Sequence, residues 1–144
     1  MSFVYVDTNV LVKRYLPEET SDDVDEFFDR PEHRFALSEL CLVELESVLA
    51  RRAREPGGQK LKLAEIRMRF ENDLRSGFFE MHSITSAVLM QARQLISDRT
   101  APLATLDALH LSTALEISAD VLATNDKQLA RATRAYGLTA ISFF

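Results

Sequence analysis

Cysteine is nearly absent: Cys41 is the only one among 144 residues. A lone thiol excludes an internal disulfide and any cysteine-rich zinc cage, and its apolar helical surroundings make it a core residue rather than a nucleophile. Glycine is also sparse, with four in the chain. None forms a GxxxxGK phosphate loop or a GxSxG elbow, which sets aside P-loop NTPases and serine hydrolases. The histidines at 33, 82 and 110 are dispersed and no spacing pairs them. Each reads as structural, and a histidine-driven, metal-free hydrolase is not expected. Every apolar run falls short of the roughly 20 residues that cross a bilayer. Met1 leads directly into a strand-like segment instead of a secretory leader, so a soluble, cytoplasmic protein is expected.

What is present suits one globular domain over 1–144: 47% hydrophobic and 27% charged residues, enough to bury a real core but too little chain for two. The net charge of −5 argues against gripping nucleic acid through overall charge, yet its distribution is uneven. Residues 1–30 carry eight acids against three bases, whereas residues 51–75 carry eight bases against four acids. The basic segment, with Arg51 and Arg52 at its start, reads either as a solvated helical hairpin with i,i+4 pairs such as Glu65 with Arg69, or as a flank that attracts phosphates.

Residues 3–6 form a short apolar, β-branched and aromatic run, read as a strand buried on both faces and ended by Asp7. Helical spacing follows over 8–16, stopped by Pro17, and again from Ser21, with an acidic first turn and Val24, Phe27 and Phe28 on one face. Residues 34–37 read as a second strand. Ser38 is placed to cap a long helix to Arg54, broken by Pro56-Gly57-Gly58. The next helix, 60–75, is expected to bury Leu61, Leu63 or Ala64, Ile66, Met68 and Phe70 before Gly77 stops it. A strand at 78–81, helices from Thr85 or Ser86 and from Thr105, a strand at 121–123, a helix over 126–136 and a strand at 139–143 complete the chain. Strands alternating with helices imply an α/β, three-layer fold with a mostly parallel central sheet flanked by helices.

Four acids stand where such a fold aims side chains at one rim beyond the strand ends: Asp7 and Asp126 just after strands, Asp107 in the first turn of its helix, and Glu44 on the long helix. Like charges about 4 Å apart repel by roughly 4 kcal/mol at an effective dielectric of 20. Several acids therefore converge stably only around a proton or a cation, and a divalent cation is the expected answer. Each acid also has a structural explanation when taken alone. Asp107 and Asp126 suit helix N-termini, Asp7 suits a turn, and Glu44 could pair with Arg51 or Lys13 at the edge of the core. Glu46 has apolar helical neighbours much like those of Glu44, so geometry alone does not separate the two.

Four segments in order resemble the PIN-domain ribonucleases of the VapC toxin type: Val4-Tyr5-Val6-Asp7-Thr8-Asn9; Leu42-Val43-Glu44-Leu45 with Val48-Leu49-Ala50-Arg51-Arg52; Thr105-Leu106-Asp107-Ala108-Leu109-His110-Leu111; and Ala123-Thr124-Asn125-Asp126-Lys127-Gln128-Leu129. Ala104 stands where relatives often carry arginine, which leaves the acids intact. The resemblance spans essentially the whole chain and implies a PIN fold. It places the acidic quartet at Asp7, Glu44, Asp107 and Asp126, with Thr8, Asn9 and Thr124 as polar companions.

It further implies a Mg2+- or Mn2+-dependent endoribonuclease, the toxin of a type II toxin–antitoxin pair. Such a protein forms a homodimer and meets a small antitoxin protein that covers its groove. Asp7, Asp107 and Asp126 would be direct or water-mediated ligands, and Glu44 a ligand or the group that orients the attacking water. Leu11, Tyr15, Phe27, Phe28 and the apolar positions of the central helical hairpin are candidates for the partner surface, although most of them read as core. Two other readings stand beside this one: a catalytically silent PIN-like interaction domain, and a receiver-like Mg2+-binding signalling module. The receiver would need a phospho-acceptor aspartate after a central strand and a lysine after a late one, whereas His82 and Ser83 follow the third strand and no lysine follows the last.

Overall fold

Strand β1 (Ser2–Val6) shows the period-two logic on which the architecture rests. Val4 and Val6 point into one apolar cluster with Val10, Phe35 and Leu45, whereas Tyr5 between them points into a second with Leu111, Leu122 and Leu129. Both faces of the strand are covered, which is why its sequence is continuously apolar. The computed structural model describes residues 2–16, 21–57 and 60–144. The expected helix stop at Pro17, Gly58 of the expected break and the side chain of Leu61 lie outside the described residues.

The remaining described elements are α1 (Thr8–Tyr15), α2 (Ser21–Asp29), β2 (His33–Ser38), α3 (Leu40–Arg54), α4 (Lys60–Arg75), β3 (Phe79–His82), α5 (Ser86–Asp98), α6 (Thr105–Glu116), β4 (Val121–Ala123), α7 (Lys127–Ala135) and β5 (Thr139–Ile141). All strand pairs are parallel, in the order β3-β2-β1-β4-β5. The sheet is thus wholly parallel rather than mostly so. Its order departs from the 2-1-3-4-5 arrangement of flavodoxin-like receivers, which counts against the signalling-module reading. The chain walks outward from β1 to β3 and then returns to place β4 on the other side of β1. That reversal opens a crevice at the carboxyl ends of β1 and β4, the place where ligands enter open α/β sheets. Val6 pairs with Ala123, so Asp7 and Thr124 emerge side by side.

Local chemistry fixes the element ends. Thr85 caps α5 by accepting from the Val88 amide at 3.2 Å. Gly77 ends α4 with φ +77°, a left-handed conformation that costs glycine nothing, and the Phe78 amide closes the turn on the Asp73 carbonyl. Two expected caps shift by a residue. Ser38 remains the last residue of β2 while its Oγ accepts from the Leu40 amide, and the α6 cap position is Ala104 rather than Thr105.

Leu63, Ile66 and Phe70 of α4 join the core, but Met68 is 63% exposed and Ala64 is also exposed, because the helix buries only the narrow stripe facing α3 and α1. Leu11, Tyr15, Phe27 and Phe28 are all core residues, so they are not available to a partner surface. Phe27 and Phe28 sit in an edge-to-face aromatic group with Phe35. Asp73 of α4 accepts from both Arg14 Nε and the Tyr15 hydroxyl, tying the end of α1 to the hairpin. Among the described residues no helix is long and apolar enough to cross a membrane.

A carboxylate cleft at the ends of the central strands

Asp7 is held where β1 ends: its amide donates to the Ala123 carbonyl at 2.9 Å, and its carbonyl accepts from the first turn of α1. The side chain is buried, and its Oδ2 accepts from the Thr124 hydroxyl at 2.7 Å. Thr124 Oγ1 in turn accepts from the Asp126 amide at 3.0 Å and from Asn9 Nδ2 at 3.5 Å. One fully buried hydroxyl thus links the first and fourth acids and Asn9. Asn9 Oδ1 also accepts from the Asn125 amide, holding α1 against the loop that follows β4.

Asp126 does cap α7, as its structural reading required, by accepting from the Leu129 amide through Oδ1 at 2.9 Å. That bond occupies one carboxylate oxygen and leaves the other for a ligand. Asp107 lies in the first turn of α6, half-buried, and lines an open cleft of about 330 Å³ together with Asp7, Thr8, Asn9, Glu44 and Ser47. The ambiguity between the α3 acids resolves cleanly. Glu44 turns inward, its Oε1 accepting from Thr8 Oγ1 at 2.8 Å and lying 2.6 Å from His110 Nε2. Glu46 faces solvent and pairs with Arg67 at 3.0 Å. Glu44 pairs with His110, where Arg51 or Lys13 had been the expected structural partners.

The acids share one electrostatic field. Asp107 is pushed up to about 6 by burial first and then by the charges of Asp126, Asp7 and Glu44, with His110 opposing. Burial also raises Asp7, with Glu44 adding to it and His110 and Thr124 countering. Glu44 runs the other way: burial would raise it, but the hydrogen bond and charge of His110 and the Thr8 hydroxyl hold it below the usual carboxylate range. His110 itself rises although burial opposes charging it, because Glu44, Asp7 and Asp107 surround it.

His110, read from the sequence as structural, is buried against the acids. It is 1% exposed and touches two of the four acids, its Nε2 lying 3.4 Å from Asp7 Oδ1 as well as against Glu44. The available signal was its i+3 spacing from Asp107, which brings both onto one side of α6.

The cleft presents mostly carboxylate oxygens, the donor set that hard divalent cations take. The raised Asp107 marks a repulsion that such a cation would relieve. A second grouping lies beneath: a thiol sulfur of Cys41, a Glu44 oxygen and a His110 nitrogen all within 4.8 Å of one another. Burial drives the Cys41 thiol up to about 12, and Thr8 and Tyr5 already occupy these atoms with hydrogen bonds. Glu44 is common to this trio and to the acids of the cleft.

A neighbouring hollow of about 310 Å³ shares Asn9, Val12 and Val48 with the acid cleft and adds Lys13, Arg51, Arg52, Asn125 and Phe144. Arg51 and Arg52 therefore stand one step from the acids. A larger cavity, about 450 Å³ between the end of α1 and the α3–α4 hairpin, is lined by none of the four acids. Its size does not mark the chemistry.

The family model for the PIN domain matches residues 4–135. No curated protein sequence matches the chain significantly. Among solved structures, FitAcB from Neisseria gonorrhoeae is similar with a TM-score of 0.73 at 19% identity, covering 96% of each chain. VapBC2 from Rickettsia felis, bound to a DNA fragment from its promoter, gives 0.67 at 16% identity over 99% of each chain. VapC20 from Mycobacterium tuberculosis, described as a sarcin-ricin loop cleaving toxin, gives 0.67 at 17% identity, covering 90% of this chain and 94% of that one. At these identities the likeness is one of fold.

Proposed function

We propose, from the premise that this chain belongs to the PIN-domain family, that it is a divalent-cation-dependent endoribonuclease acting as the toxin of a VapBC-type pair in the cytoplasm, with 1–144 working as one domain. The observation that carries the reading is the convergence of Asp7, Glu44 and Asp107 on one cleft, with Asp126 close enough to raise Asp107. An intact acid set argues against a catalytically silent interaction domain, which would have no need to maintain that repulsion.

Asp7, Asp107 and the uncapped oxygen of Asp126 would hold Mg2+ or Mn2+, with Oε2 of Glu44 as a further ligand or as the acceptor that orients the attacking water. When bound, such a cation supplies electrophilic stabilisation of the charge growing on the phosphate and leaving oxygen, and lowers the pKa of water at the site. The protein's own part is positioning. Thr124 fixes Asp7 relative to Asp126, Thr8 and His110 fix Glu44, and Lys13, Arg51 and Arg52 offer positive charge to the RNA backbone beside the acids.

Structural relatives solved as toxin–antitoxin and VapBC complexes support an antitoxin protein as partner; a homodimer, and an antitoxin that covers the groove and blocks the acids, follow from the family resemblance. The decisive test is cleavage of structured RNA by purified protein with Mg2+ or Mn2+. Activity should disappear in chelator and fall by about 100-fold or more in Asp7→Asn, and the products should carry 5′-phosphates. Chelator-resistant cleavage giving cyclic phosphates would refute the mechanism. Growth arrest on expression, relieved by a neighbouring small reading frame, tests the toxin assignment.

A further inference from the structure

His110 has both ring nitrogens engaged in a site whose other groups are mostly carboxylate and hydroxyl oxygens. Its Nδ1 lies 2.5 Å from the Tyr5 hydroxyl and its Nε2 lies 2.6 Å from Glu44 Oε1. Tyr5 and His110 are essentially fully buried, on β1 and α6 respectively, so water does not compete for these bonds. We propose that His110, registered by Tyr5, is a positioning residue that locks Glu44 so that Oε2 alone is presented to the cation or the attacking water. The inference rests on the cation-dependent reading of the cleft and extends it to groups that touch neither substrate nor cation.

The hydrogen-bond arithmetic assigns the roles. Glu44 Oε1 is an acceptor, so His110 Nε2 must carry a hydrogen. In the neutral ring Nδ1 is then a bare acceptor, and the Tyr5 hydroxyl donates to it. The alternative neutral tautomer would turn a nitrogen lone pair toward the carboxylate, so the acceptor-only Glu44 selects against it and the Tyr5 hydroxyl, able to donate, completes the ring's bonding at Nδ1. Thr8 Oγ1 donates to the same Oε1 at 2.8 Å, so that oxygen receives two donors from opposite elements, α1 and α6. A carboxylate whose one oxygen is committed to two donors loses much of its freedom to swing and presents its other oxygen preferentially. His110 Nε2 also stands 3.4 Å from Asp7 Oδ1, which spaces the two acids about a common donor. Buried partners of this kind set ligand orientation, and their loss costs about 10- to 100-fold in metal affinity or activity.

The experiment compares His110→Leu, His110→Gln and Tyr5→Phe with the unaltered protein. It measures Mn2+ affinity by electron paramagnetic resonance, kcat and KM on a cleavable RNA, thermal unfolding, and ring 15N chemical shifts of His110 at alkaline pH with Mg2+ present. His110→Leu should weaken Mn2+ binding and lower kcat by about 10-fold or more, with KM nearly unchanged. His110→Gln, which restores an N–H near the Nε2 position, should recover most of that loss. Tyr5→Phe should lower kcat several-fold and broaden the ring signals, because Nδ1 loses its partner while Glu44 still holds the Nε2–H tautomer. The unaltered protein should show the Nε2–H tautomer.

An Nδ1–H tautomer, or a His110→Leu variant with unchanged Mn2+ affinity and kcat, overturns the proposal. Equal losses in the Leu and Gln variants that follow thermal unfolding overturn it as well, since they reveal a packing role. If His110→Leu does not fold, Tyr5→Phe, His110→Gln and the 15N shifts decide. If no RNA is cut under any condition the ribonuclease reading fails, while Mn2+ affinity and the tautomer still decide the role of His110.

Discussion

Removing the charge of Asp107 should stabilise the metal-free protein while destroying its activity. The carboxyl is displaced from 3.8 to about 6 by burial and by Asp126, Asp7 and Glu44. At about 1.4 kcal/mol per pH unit that displacement corresponds to roughly 3 kcal/mol of unfavourable charging in the native state. Because Asp107 is only half-buried, screening by solvent reduces the gain expected on neutralisation to about 1 to 2 kcal/mol.

The sign follows from proton linkage. Between about pH 3.8 and pH 6 the native state holds a proton that the unfolded chain has released, so stability falls as pH rises through that window and stays lower above it. Asp107→Asn abolishes this penalty. In chelator, urea unfolding should show the variant more stable than the parent by about 1 to 2 kcal/mol at pH 8, or about 3 to 6 °C in Tm for a chain of this size, with the difference vanishing near pH 4. Adding Mg2+ should erase or reverse the difference at pH 8, because only the parent gains from the cation. A variant that is destabilised at pH 8, or whose difference from the parent does not change with pH, would show that the acids do not repel one another as the geometry requires.

Asp126 serves two roles that substitution can separate. Asp126→Asn keeps an acceptor for the Leu129 amide and should change stability little, whereas Asp126→Ala should cost about 1 kcal/mol in denaturant unfolding; both should lose cleavage to the same extent. Replacing Arg51 and Arg52 together with alanine should raise KM for RNA several-fold with little change in kcat, and should flatten the dependence of RNA binding on salt by about one to two counterions. An unchanged salt slope would remove these arginines from the RNA path.

Much of the sheet was legible because strands covered on both faces leave continuous apolar runs, and residues 3–6 and 121–123 contain little else. Parallel topology followed from the alternation of strands and helices. The order of strands did not, since nothing local to β4 says that it lies beside β1 rather than β3. Glu44 and Glu46 were inseparable for a definite reason. Leu42 and Val43, counted as apolar neighbours of Glu46, are 42% and 70% exposed, so they mark no core face at all. Met68 misled in the same way on α4. His110 read as structural because no second histidine lies near it in sequence. Its partners prove to be a tyrosine 105 residues away and a glutamate 66 residues away, separations that no periodicity reveals. The caps at Thr85 and Asp126 were visible because their chemistry is complete within three residues.

The Thr124 hydroxyl that joins Asp7 to Asp126 spans 117 positions of chain. A ribosome therefore produces Asp7, Glu44 and Asp107 long before the strand that unites them with the fourth acid, and β4 must slot against β1 before the pocket exists. During that interval the growing polypeptide carries three of the acids without the strand that aligns them with the fourth. The order of translation thus makes the pocket one of the last features of the molecule to form.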